Sequence, residues 1–161
     1  VTLRLKREEL LYDITNCAYV EADIMDVKEE HLRHPVYDIG EDGNVDRVTR
    51  VMDIAFDECV EMLYPYSRRE MDCEEADTDQ KVTEVYEVAL QLPETFSQTS
   101  VDLLAKLVHE RMVCRVLADW LSITDKAAAR EWAEKAEAAE ESIRSTVNMR
   151  RGRIRRRLSP W

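Results

Sequence analysis

The chain reads as a mainly α protein, a bundle of about four helices with room for a short β-arm near residues 82–92. Three observations predict this class. Gly and Pro, which interrupt helices, number only three and four in 161 residues. Hydrophobic residues make up 45%, enough for one real core, while charged residues at 35% supply a solvated surface. Apolar side chains also recur at intervals of three and four along most of the length. The organisation expected is one helical domain over residues 1–149 and a basic C-terminal tail over 150–161.

A first helix is predicted from about Leu5 to Met25, because Leu11, Ile14, Ala18, Ala22 and Met25 fall on one face. The stretch VKEEHLRHP prolongs it until Pro35 stops it. DIGEDGN holds two of the three glycines and reads as a loop. The second helix is expected from about Val45 to Leu63, with Val48, Val51, Met52, Ala55, Cys59, Met62 and Leu63 together and Asn44 as its cap. YPYSRREMDCEEADTDQ is a long polar excursion.

In KVTEVYEVALQLP the period changes and β-branched residues concentrate. A strand from Val82 to Leu92, ended by Pro93, competes with a helix through the same residues; the strand is favoured. A lone strand needs a partner, which a second copy or a hairpin arm would supply. A third helix, capped by Thr99 or Ser100, runs to about Leu121. Its apolar residues spread around the wheel and its charges change face, from Asp102, Lys106 and Glu110 to Arg111, Arg115 and Asp119. That is the pattern of a central helix. SITD then caps a fourth helix, about Asp125 to Arg150, with the stripe Ala128, Trp132, Ala136, Ala139, Ile143 and Val147. Glu131–Lys135 and Glu140–Arg144 are its favourably ordered pairs.

No constellation assembles an active site, so no catalytic residue, metal or cofactor is expected. His31 and His34 lie beside Glu29 and Glu30 without further ligands and read as a solvated helix end. Asp42 to Asp46, with Asp53 twelfth, starts like a calcium loop, but Arg47 stands where the sharp turn requires glycine. His109 and Cys114 share a helix without an oxyanion loop, and the histidine reads as a core or interface residue. Cys17, Cys59, Cys73 and Cys114 form no CxxC pair and read as thiols of a reducing compartment. CEEADTD, Cys73 to Asp79, is an acid cluster, either solvated or a dock for basic segments. No run approaches the about 20 apolar residues of a membrane helix.

The charge is divided sharply. The chain carries 34 Asp and Glu against 23 Lys and Arg, yet six of the eight residues from Arg150 to Arg157 are arginine. Without these six, residues 1–149 hold 17 basic and 34 acidic side chains, a net −17. Such a body opposes nonspecific contact with nucleic acid. The tail residues Arg150, Arg151, Arg153, Arg155, Arg156, Arg157 and Trp161 are therefore the candidate contacts. Arginine there neutralises phosphate in one reading. In another it pairs with carboxylates of a protein neighbour while Leu158, Pro160 and Trp161 supply an apolar hook. A plain solvated tail is the third.

The segments VDRVTRVMDIAFDECVEML, YEVALQLPETF and SVDLLAKLVHERMVCRVLADWL, in that order, resemble the small helical head–tail connector, or neck adaptor, proteins of tailed bacteriophages. The second half also resembles small prophage-encoded proteins ending in an Arg-rich tail. The resemblance covers residues 45–161 and implies a ring homo-oligomer between portal and tail, in the virion or the host cytoplasm. Its partners would be further copies and the portal or tail proteins; the arginines themselves leave DNA contact through the tail open, and the lack of a long apolar run argues for no membrane. The resemblance implies assembly rather than catalysis.

Overall fold

A computed structural model describes residues 1–25, 30–69 and 82–149, apart from the side chains of 30–33. Five helices and a two-stranded sheet make up the described fold. The order is β1 (Thr2–Lys6), α1 (Arg7–Ile24), α2 (Glu30–Tyr37), a 3-10 turn (Asp38–Gly40), α3 (Asp42–Met62), β2 (Val85–Ala89), α4 (Gln98–Leu121) and α5 (Lys126–Met149).

The predicted helical bundle and its β-arm are both present. α4 is the central helix. Val101, Leu104, Val108, Met112, Val113, Cys114, Val116, Leu117, Trp120 and Leu121 are all buried, and they point in every direction around its axis. α5, α3, α1 and β1 pack against it. Ser97 rather than Thr99 or Ser100 caps its start, its Oγ accepting from the Ser100 N–H at 3.3 Å.

α5 follows after a tight turn. Asp125 Oδ1 accepts the backbone N–H groups of Ala127 and Ala128 at 2.9 and 3.0 Å, so the SITD segment caps this helix. The buried stripe is Ala129, Trp132, Ala136, Ala139, Ile143 and Val147, with Ala128 only half-buried. Small side chains over two turns let α5 approach α4 closely. Of the two ion pairs read from the sequence, Glu140–Arg144 forms at 2.7 Å. Lys135 lies with its Nζ 4.0 Å from the centre of the Trp132 ring, where the ring face attracts the cation.

The strand reading of residues 82–92 holds over Val85–Ala89, and its partner lies within the same chain. β2 pairs antiparallel with β1, in a register that sets Leu3 opposite Val88 and Leu5 opposite Tyr86. Both strands alternate in burial, so Leu3, Leu5, Tyr86 and Val88 all face the core. The first helix therefore begins at Arg7, two residues after the expected start, because the alternating TLRLK is drawn into the sheet.

Two further boundaries differ from expectation. Pro35 lies inside α2 instead of ending a helix. The helix there is short, and Val36 and Ile39 are buried just beyond, with the Trp120 indole N–H donating to the Val36 carbonyl at 3.3 Å. α3 starts at Asp42, so Gly43 lies in its first turn and Asn44 is not its cap. Asn44 Nδ2 instead donates to the Asp38 carbonyl at 2.8 Å, tying the helix start to the 3-10 turn.

Trp132 is 9% exposed and its indole N–H donates to Glu21 of α1 at 2.8 Å, so one ring joins α5 to α1. Trp132→Ala is expected to cost about 3–5 kcal/mol of stability by removing a core aromatic and leaving a cavity. Chemical denaturation measures it; an unchanged midpoint would refute this packing.

Candidate functional site

The sequence singled out the tail. Arg150, Arg151, Arg153, Arg155, Arg156, Arg157 and Trp161 lie outside the described residues, as do the acid cluster 73–79 and the side chain of His31. His34 is exposed. The calcium-like stretch from Asp42 is helical from its first residue and so has no loop to wrap a cation. Among the described residues no group of three or more His, Cys, Asp or Glu side chains is placed to hold a metal.

The densest charge cluster lies where α3, α4 and α5 meet. Arg111 of α4 is only 6% exposed. Its Nη2 lies 2.6 Å from Glu58 Oε2 of α3 and 3.5 Å from Glu140 Oε2 of α5. Arg115 reaches Glu58 at 3.7 Å, and Arg144 reaches Glu140 at 2.7 Å. The attraction to Glu58 is coulombic, since no N–H is aligned on Oε2, and Nε and Nη1 of Arg111 are buried without a hydrogen-bond partner. A groove of about 580 Å³ opens over this cluster, walled by Glu61, Met62 and Tyr64 of the α3 end and by Asn148 of α5. Glu58 and Glu140 already face in-chain arginines. The arrangement joins three helices.

Two more polar side chains of α4, Asp119 and His109, also cross to neighbours. Asp119 accepts from Arg47 Nη2 at 2.9 Å, and the guanidinium carbon lies 5.4 Å from the centre of the Trp120 ring. His109 Nε2 lies 2.7 Å from Asp13 Oδ2 on α1. Cys114 hydrogen-bonds to Glu110 at 3.7 Å, so no thiol–imidazole pair forms. The face change read along α4 thus marks interhelical pairing, a function the sequence alone left unassigned.

A second cluster joins α3 to β2. Tyr86 donates its hydroxyl to Asp53 Oδ1 at 2.7 Å, and its ring lies 5.1 Å from that of Phe56. Asp57, one turn on from Asp53, has its carboxyl held above the usual range by partial burial and then by the Asp53 charge. Missed in the sequence reading are the exposed apolar side chains of α1. Tyr12 and Ile24 are 72% and 71% exposed, and Tyr19 and Val20 lie between them. Tyr12 and Tyr19 lie on one flank of the solvent side and Val20 and Ile24 on the other, with Glu9, Asn16 and Asp23 between them. The helical spacing of the apolar residues was the available signal.

No family model, no curated protein and no solved structure matches the chain.

Arg111→Ala is expected to destabilise the fold by about 1–3 kcal/mol, below the range for fully buried pairs because Glu58 and Glu140 still reach water. Arg111→Met, which keeps the volume, should cost less. Equal losses in urea denaturation would mean that packing rather than charge sets the effect.

Alkaline pH gives a further test. Burial pushes the Cys59 and Cys114 thiols up to about 12 from an ordinary 9.0, Glu110 adding to the shift at Cys114. Burial and then the Asp53 hydrogen bond also raise the Tyr86 phenol well above 10.0. Above pH 9 the unfolded chain releases these protons first, so unfolding is favoured. Their contribution is complete below 9 and declines as pH climbs toward the folded values. Denaturation midpoints should fall between pH 8.5 and 10.5, and less so in Cys59→Ala/Cys114→Ala than in the parent; an identical decline in both would remove the thiols as its cause.

Proposed function

We propose that the chain is a structural assembly protein of a phage or prophage particle, of head–tail connector type, acting by association and not by turnover. The observation that carries this reading is the division of charge, a body at −17 ending in six arginines. The exposed apolar side chains of α1, Tyr12, Tyr19, Val20 and Ile24, add surface suited to a neighbour. The tail serves as an arm to the next subunit or to the portal, its arginine forks meeting carboxylates while Leu158, Pro160 and Trp161 fill an apolar pocket. The acidic body lets a DNA channel pass without gripping the polymer, since like charges repel.

A nucleic-acid-binding accessory protein is the second reading, favoured by the density of arginine alone. Deleting residues 150–161 separates the two. The arm reading predicts loss of incorporation into particles, or of co-purification with the portal protein. It also predicts no duplex-DNA binding that depends steeply on salt. Salt-sensitive DNA binding abolished by the deletion, with normal particle assembly, would put the nucleic-acid reading first.

A further inference from the structure

We infer that the outer edge of β2 is a docking site for an extended segment, and that its occupant is the 150–161 tail of a second copy of this chain. The inference rests on the tail acting as an arm. It adds where the arm lands.

The first ground is the hydrogen-bond register. Val1 and Leu90 exchange backbone hydrogen bonds, and the Arg7 N–H donates to the Glu84 carbonyl. Antiparallel pairs alternate, so Tyr86 and Val88 bond to β1 while Val85, Glu87 and Ala89 aim their N–H and C=O groups away from it. Among the described residues no backbone group takes those positions. An open edge of this kind is a template for one more strand.

The second ground is the groove beside that edge. It measures about 420 Å³ and lies between β2 and α3, with no β1 residue in its lining. Asp53, Asp57 and Glu87 contribute carboxylates, while Phe56 and Val85 contribute apolar surface. Glu87 pairs with Arg4 at 2.9 Å, but among the described residues no cation pairs with Asp53 or Asp57.

The chemistry selects the occupant. A β2 strand from a second copy would bring its own Glu84 and Glu87 against these carboxylates, and like charges across a strand pair are unfavourable. The tail has the opposite pattern. In extended form its side chains alternate, with Arg151, Arg153, Arg155 and Arg157 on one face and Ile154, Arg156 and Leu158 on the other. The four-arginine face meets Asp53 and Asp57. The other sets Arg156 beside Glu87, with Ile154 and Leu158 flanking it beside Val85 and Ala89.

The test uses a synthetic peptide of residues 150–161 and, as receptor, the full chain with its six tail arginines replaced by Gln, so that its own tail does not compete. Binding is expected, weakened at least tenfold by Asp53→Asn/Asp57→Asn and by Val85→Pro. The proline removes only an outward N–H and leaves the ladder to β1 intact. Hydrogen exchange at Val85, Glu87 and Ala89 should slow in the peptide complex. No binding, or binding indifferent to both variants, overturns the docking site. The arm reading is scored separately. Edge variants that enter particles normally, while the chain lacking 150–161 does not, would keep the arm and remove this landing place. Light scattering of the parent chain decides the source. Concentration-dependent association lost in the edge variants supports a second copy, whereas a strict monomer with those amides protected means that the chain's own tail lies there, and overturns it.

Discussion

Everything else in the structure depends on covering α4. A helix with apolar side chains on all sides cannot leave any side in water, so it requires neighbours around its whole circumference. α5, α3, α1 and β1 provide them, which fixes the topology as a helix wrapped by the rest of the chain. Apolar contact alone is non-directional and would tolerate rotation of α4 about its axis. The charges on α4 remove that freedom. Arg111 aims at Glu58 and Glu140, Asp119 at Arg47, and His109 at Asp13, so α3, α5 and α1 each hold α4 through at least one polar partner.

The sheet solves a different problem. Residues 1–6 and 85–90 are far apart in sequence, and two strands by themselves are marginal in water. Their inward side chains make the pairing stable, since Leu3, Leu5, Tyr86 and Val88 add to the core that α4 already demands. Arg7, at the junction of β1 and α1, also bonds its guanidinium to Thr49 of α3. The chain start is thereby fastened to the bundle through both its backbone and the Arg7 side chain. The consequence is an outer edge of β2 that no described residue covers, with Asp53, Asp57 and Glu87 as charged residues beside it.

What the sequence made legible was local and periodic. The α5 stripe, the all-round burial of α4 and the strand character near residue 86 each follow from spacing within a window of about twenty residues. What it hid was non-local. TLRLK alternates too briefly to outweigh the helical pattern that follows, and only the distant VYEVA makes it a strand. Pro35 remains within a helix because burial of Val36 and the bond from Trp120 outweigh a local preference to stop. The change of face at Arg111, Arg115 and Asp119 was legible as the mark of a central helix, but the partners Glu58 and Glu140 were not, since they lie on other helices. Tyr12, Tyr19, Val20 and Ile24 escaped notice because the inward side of α1 explained the helix sufficiently.

The distribution of charge sets how any association of this chain responds to salt. Two bodies at −17 repel, so copies approach only if something offsets that repulsion. An arginine arm does so by bringing positive charge to the carboxylates of its neighbour, and the exposed apolar side chains of α1 would do so without charge. Added salt screens the arm's attraction, but it screens body–body repulsion as well, with a Debye length of about 8 Å at physiological ionic strength. The two effects oppose each other. Association through the arm should therefore depend on salt less steeply than phosphate binding by the same six arginines, where counterion release outweighs the screening of body–DNA repulsion. Aromatic burial by Trp161 flattens the dependence further, because apolar contact persists when charges are screened. The salt slope thus separates the two partners of an identical tail by physical mechanism.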